Sequence, residues 1–170
     1  MAGDQRYFFL NMISAGIHGG SPKANHLDWL ELDNWDFSMN LNADINVKSG
    51  RPDKTSAVGR FGFSIVHNGP YLFGLAASGQ YIGETSPIVF EAERSGLTSG
   101  GGSTGTGVYL QLTFTKAVVS NRSLSGDDGQ KMEHIELVFE KVSMMYKQVV
   151  NGVLGPATTK SYDAKTNRVS

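Results

Sequence analysis

The chain has 170 residues, no cysteine, and fifteen basic against sixteen acidic side chains, for a net charge of −1. A chain of this size buries roughly 70% of its unfolded surface, so a core forms without metal or disulfide staples. Thiolate and disulfide chemistry are excluded, and the lack of a basic excess argues against a general nucleic-acid binder. Glycine stands at 21 of 170, above the usual ~7%, and with frequent Ser, Thr and Asn it points to many turns and an all-β class.

Alternation at period two predicts the strands in chain order. The first runs Arg6–Ile13. The second, Leu27–Asn40, changes phase: Leu30 and Leu32 stand on even numbers, Trp35, Phe37 and Met39 on odd ones, with the switch at Asp33–Asn34. The polar stretch 40–57, with Gly50 and Pro52, reads as an extended loop, and Val58–Val66 as the next strand. In "HNGPYLFGLAASGQ" a short helix is expected at about 70–78. Asn68 or Gly69 caps it, Pro70 suits its first turn, Gly79 suits its C-terminal cap, and Tyr71, Leu72, Leu75 and Ala76 form the stripe that packs onto a sheet.

Tyr81–Arg94 follows as a strand, then the Gly/Ser/Thr-rich loop Ser95–Thr106. In Gly107–Ser120, Val108, Leu110, Leu112 and Phe114 take one face and Tyr109, Gln111, Thr113 and Thr115 the other, as in a sheet with one wet side. Met132–Lys147 changes phase again, from Ile135, Leu137 and Phe139 to Val142, Met144 and Tyr146. Thr158–Arg168 ends the series. No repeat or composition break marks a second domain, so 1–170 reads as one. A β-bulge explains such phase changes, and so does a strand whose two ends are buried against different partners; both belong to a small, strongly bent barrel.

Catalytic and metal motifs fail on context. "GGSTG", Gly101–Gly105, matches G-x-S-x-G, but a nucleophile elbow needs a strand before Ser103 and a helix after it, and here a glycine loop precedes and a strand follows. That loop has no lysine, so it does not read as a phosphate cradle. His18, His26, His67 and His134 lack ligand spacing and read as turn and surface histidines; neither metal nor cofactor is expected. Among the carboxylate pairs, Asp127–Asp128 reads as turn composition, Glu136 and Glu140 as a solvated face, and Glu91–Glu93 carries no further signal. No apolar run approaches the ~18 residues of a membrane helix, and the apolar run Tyr7–Leu10 is shorter than a signal-peptide core. Synthesis in the cytoplasm, without a leader or membrane anchor, is the expectation.

Several stretches, read in order, resemble the haemolysin-coregulated protein (Hcp) family, the tube subunit of bacterial type VI secretion. "YFFLNMISAGIHGGS" resembles the family's first strand and its G-[IV]-x-G-x-S turn, here Gly16, Ile17, Gly19 and Ser21. His26 before "LDWLELDNWDF", ending in Trp35 and Phe37, is similar to the family's next segment. "GPYLFGLAASGQ" resembles its single helix, with Pro70, Leu72 and Gly79 in register, and "HIELVFEKVSMMYK" its phase-changing strand. "SYDAKTNRV", with Tyr162, Asp163, Lys165 and Asn167, resembles the closing strand.

The resemblance spans about residues 6–169 and implies a small two-sheet β-barrel with one short flanking α-helix. It implies a non-enzymatic protomer that forms homohexameric rings, stacked into a secreted hollow tube. The implied partners are a spike protein at the tip, contractile sheath proteins outside and small effector proteins in the lumen, with no nucleic acid. The loop at 40–57 is expected to reach a neighbouring ring, with Lys48, Arg51, Asp53 and Lys54 pairing across the junction. The competing readings are a phage-tail-tube-like protein, a monomeric β-barrel that binds a sugar or peptide, and a hydrolase using Ser103.

Overall fold

The computed structural model describes residues 5–46, 51–66, 70–98, 104–126 and 131–170, with backbone alone over 41–46 and 51–57. In chain order the elements are β1 (Arg6–Asn11), β2 (Leu30–Glu31), β3 (Asn34–Asn46), β4 (Arg51–Val66), α1 (Tyr71–Ser78), β5 (Ile88–Thr98), β6 (Thr104–Gly126), β7 (Lys131–Val150), β8 (Val153–Asp163) and β9 (Arg168–Val169). The strands hydrogen-bond into one nine-stranded sheet, ordered β2-β1-β5-β6-β7-β4-β3, with β8 on β7 and β9 on β8. The all-β class with a single short helix therefore holds among the described residues. The two expected sheets are joined by hydrogen bonds, because β6 and β7 are long enough to run through the bend and belong to both halves.

Among the described residues no ladder closes this order into a ring. The covalent chain bridges the gap. Leu32 N–H donates to Phe8 O on β1 and the next amide, Asp33 N–H, donates to Ser64 O on β4, each at 2.9 Å. The first phase change is thus a change of partner strand, the corner device by which one strand serves two walls. Before it, Leu30 and Leu32 are buried beside β1; after it, Trp35 packs edge-on to Phe8 (6.1 Å) and against Phe90 (4.7 Å), and Phe37 stacks on Phe139 (6.0 Å).

The second phase change has another origin. β7 pairs with β4 up to Val138 and with β8 from Lys141, while β6 accompanies it on the other side. Phe139 and Val142 are both buried, and across the ladder so are Phe114 and Ala117. The two strands change facing at the same rung, so the register survives: Thr115 lies opposite Lys141, and Ala117 opposite Phe139. Lys116 makes the corner with a left-handed φ of 56°, a conformation that costs a non-glycine residue about 1–2 kcal/mol. Ala117 exchanges two backbone bonds of 2.8 Å with Ile82, which hold the corner. The inward series expected at Val108–Phe114 therefore passes, beyond Lys116, to Ala117 and Val119.

The core between the walls is aromatic. Phe61 lies 5.1 Å from Phe90 and 4.9 Å from Phe114, all three fully buried. Helix α1 packs on β6 through Leu72 and Leu75. Pro70 occupies its N-cap, and Gly79, at φ 60°, closes it by donating to Leu75 O. Tyr71, expected in the packing stripe, is exposed; Asn68 and Gly69 lie outside the described residues.

The expected loop at 40–57 is corrected to a hairpin. β3 runs on to Asn46 and β4 begins at Arg51, paired rung by rung apart from a shift between Leu41 and Ala43. "NLNADIN" carries the strand signal: Leu41, Ala43 and Ile45 continue the odd-numbered alternation of Trp35, Phe37 and Met39, though Asn, Asp, Gly50 and Pro52 give the stretch as a whole the composition of a loop. Tyr81–Pro87, expected as the start of a strand, precedes β5 and touches the sheet through the isolated bridge of Ile82. The β7–β8 turn is Asn151–Gly152, both with positive φ, as a two-residue hairpin turn demands.

Candidate functional site

Of the residues expected at a ring junction, Lys48 lies outside the described residues. Arg51, Asp53 and Lys54 stand on the β4 arm of the hairpin, opposite Asn46, Asp44 and Ala43, with backbone alone described. Ser103, His67, Asp127 and Asp128 lie outside the described residues. Among those described, no three side chains capable of holding a metal converge, and no helix is long and apolar enough to cross a membrane.

His26 is not the surface histidine that its spacing suggested. It is 2% exposed, stacked on Phe9 at 4.2 Å and edge-on to Trp29 at 4.8 Å. Its Nε2–H donates to Glu91 Oε2 at 2.7 Å, and its Nδ1 lies 3.8 Å from Glu93 Oε1. Gln111 Nε2 donates to the other Glu91 oxygen at 2.6 Å. Lys23 Nζ sits 3.6 Å from Glu93 and 3.5 Å from the centre of the Tyr7 ring. The segment from Ile17 to Trp29 is thus clamped over the outer face of β1 and β5 by paired charges and stacked rings. Gly19 permits the clamp: its N–H donates to Asp28 O at 2.8 Å, and a Cβ there would meet Trp29 O at 2.2 Å. At the exposed end, His18 hydrogen-bonds Asp28, and with the Gly20 N–H this holds the Asp28 carboxyl below its ordinary range. The sequence signal for the clamp was Glu91 and Glu93 two apart on a strand, and it needed the fold to bring His26 to them.

The other charged pairs are local. His134 Nδ1 meets Ser64 Oγ at 3.0 Å. Glu136 and Glu140, expected on a solvated face, are half-buried and paired, with Arg60 at 2.7 Å and Lys116 at 3.6 Å. Asp163 accepts from Lys141 at 2.9 Å; this bond lowers the carboxyl and raises the ammonium.

The surface most suited to a macromolecular partner is the arm that β7 and β8 form beyond the barrel. The inward rungs Phe90–Leu112 and Ala92–Leu110 continue across β7 as Met144 and Tyr146. Leu112 is fully buried, but Met144 is 37% and Tyr146 48% exposed, and at the tip Val150 and Val153 are 53% and 47% exposed. The core face runs out of the barrel uncovered. Exposed Gln148 separates Met144 and Tyr146 from the tip pair Val150 and Val153, and exposed apolar side chains grouped in this way mark an interaction surface.

Comparison with known proteins gives the context for these surfaces. Residues 9–146 match the family model described as type VI secretion system effector, Hcp. No curated protein sequence matches the chain. Among solved structures, Hcp1 from Salmonella typhimurium is 26% identical with a TM-score of 0.68, the match covering 97% of this chain and 99% of that one. Hcp2 from the same organism is 24% identical with a TM-score of 0.62, covering 95% and 98%. A structure described as a type six secretion system protein reaches a TM-score of 0.73 at 16% identity, covering 98% and 100%; these last two speak for the fold alone.

Proposed function

The chain belongs to the Hcp family of the type VI secretion system, and on that premise we propose that it is a non-catalytic tube protomer. Copies join head-to-tail into a hexameric ring, and rings stack into a hollow tube. The tube takes small effector proteins in its lumen, carries a spike protein at its tip and is driven out by a contractile sheath. The protein waits in the cytoplasm and leaves through the machine itself.

The observation that carries this reading is the strip of β7 and its turn that exposes Met144, Tyr146, Val150 and Val153, interrupted by Gln148 and uncovered in a single copy. A strip on one side of a molecule needs a different surface of the next copy, and such heterologous contacts close into rings when the rotation allows. The β3–β4 hairpin supplies an arm toward a neighbouring ring, with Lys48, Arg51, Asp53 and Lys54 pairing across the junction.

Sedimentation velocity with negative-stain imaging tests both surfaces. The wild-type protein is expected to give annular particles. Val150→Asp with Val153→Asp is expected to give folded monomers, and removal of residues 44–54 to give rings that no longer stack. Wild-type protein that stays monomeric at every concentration refutes the reading.

A further inference from the structure

The outer wall formed by β6, β7, β8 and the β9 segment carries two adjacent rows of polar residues. Thr113 lies opposite Ser143, Ser143 opposite Ser161, and Ser161 exchanges backbone bonds of 2.8 and 3.0 Å with Ser170. In the next row Thr115 lies opposite Lys141, Lys141 opposite Asp163, and Asp163 opposite Arg168. Phe114, Val142 and Tyr162, which separate the rows, are buried, so both rows face outward. With Thr166 of the closing turn they line a cavity of about 390 Å³, within the ~300–1,000 Å³ of small-molecule sites.

Most such sites have an apolar floor. This one has four hydroxyls in a row, one on each of four neighbouring chain segments ~4.8 Å apart. Serine is not a residue that strands favour, yet three stand in this row. Ser161 Oγ–H donates to Ser143 Oγ at 3.0 Å, which aligns the middle pair. A hydroxyl both donates and accepts, so the row offers both kinds of bond. The second row alternates in sign through Lys141, Asp163 and Arg168, with Lys141 Nζ 2.9 Å from Asp163. It adds donors and an acceptor without a field of one sign, and so selects neither an anion nor a cation.

We propose that this groove binds carbohydrate, a neutral sugar chain lying across the strands with its hydroxyls on the row from Thr113 to Ser170 and on the Lys141–Asp163 pair. Sugar hydroxyls each donate and accept, as the groove's own do, and those that meet the charged pair make the stronger bonds. The groove is built within a single copy, so the site stands whether or not copies assemble into tubes.

Saturation-transfer difference NMR on the full chain, with cellotetraose, maltotetraose and chitotetraose as probes, tests this. At least one sugar is expected to bind saturably, and glycerol at equal hydroxyl concentration should fail to compete. Ser143→Ala with Ser161→Ala should weaken binding about tenfold, the loss of two neutral hydrogen bonds. Thr115→Val keeps the shape of its side chain, loses only the hydroxyl, and should weaken binding about threefold. Thr159→Ala removes an exposed hydroxyl of β8 outside the groove and should leave binding unchanged. Equal weakening in Thr159→Ala, equal competition by glycerol, or unchanged binding in both groove variants overturns the proposal. So does the absence of saturable transfer to any of the three sugars, and transfer to a Gly-Ser peptide alone would assign the groove to a polypeptide instead.

Discussion

Replacing Glu133 asks how the barrel end beneath α1 is held. Glu133 lies opposite Ile65 on β4 and Leu124 on β6, and Arg122 lies opposite Ile135, so both side chains leave the sheet on its inward face. Arg122 Nε–H donates to Glu133 Oε1, the carboxylate 0% and the guanidinium 15% exposed. The Arg122 head group also lies 5.6 Å over the Phe73 ring of α1. Water screens such a pair little, and removing one partner of a buried pair costs about 3–5 kcal/mol because the other charge is stranded. Glu133→Gln keeps the shape and a hydrogen-bond acceptor, so the lower end, about 3 kcal/mol, is expected.

Arg122→Met takes the ion-pair partner from a carboxylate with no solvent access and also removes the contact over Phe73, itself about 0.5–1 kcal/mol, so the upper end is expected. Arg122→Met combined with Glu133→Leu removes both charges and should return to within about 2 kcal/mol of wild type. Urea unfolding at neutral pH, followed by Trp29 and Trp35 fluorescence, reads all three. A Glu133→Gln variant within about 1 kcal/mol of wild type refutes a buried, unscreened pair. A double variant as unstable as the sum of the two single changes refutes the idea that the residues act as a unit.

Three further outcomes follow from the geometry. Gly19→Ala places a Cβ 2.2 Å from Trp29 O and 2.4 Å from Leu30 Cα, backbone atoms that cannot step aside. It should cost more than about 2 kcal/mol and raise the quenching of Trp29 by acrylamide as the clamp loosens. His26→Ala empties the slot between Phe9 and Trp29 and takes the imidazole from Glu91, for a loss of about 2–4 kcal/mol in the same urea assay. The third outcome concerns pH. The Asp163 carboxyl is lowered from its ordinary 3.8 by its bond to Lys141, so its contribution is present above that value and lost as pH falls through the lowered one. The stability gap between wild type and Asp163→Asn should therefore be constant near neutrality and shrink on acidification below about pH 4; a gap that stays fixed down to pH 2 counts against the pairing.

Strands with a strong apolar face were legible in the sequence, and so was the helix between Pro70 and Gly79. The phase change in β7 was visible because Phe139 and Val142 are large and well separated by Glu140 and Lys141. Its counterpart in β6 was hidden: Ala117, Val118 and Val119 are all apolar, so the run shows no phase at all. The hairpin arms at 40–57 were read as a loop because Asn, Asp, Gly50 and Pro52 dominate the composition, although Leu41, Ala43 and Ile45 continue the alternation of Trp35, Phe37 and Met39. The seat of His26 beside Glu91 depends on contacts between distant parts of the chain, and spacing along the sequence carries no trace of it.

The shared corner of β6 and β7 also constrains how the lengths of these segments can drift over generations. Because both strands change facing over the same rungs, between Phe114 and Ala117 on β6 and between Val142 and Phe139 on β7, losing or gaining one residue on a single strand would send every side chain beyond it to the wrong wall. A change of length here survives only as a matched pair, one on each strand, whereas the loops elsewhere are free to grow singly. The distance from Phe114 to Ala117 should thus be inherited in step with that from Phe139 to Val142, even among distant cousins whose residues at those positions have all been replaced.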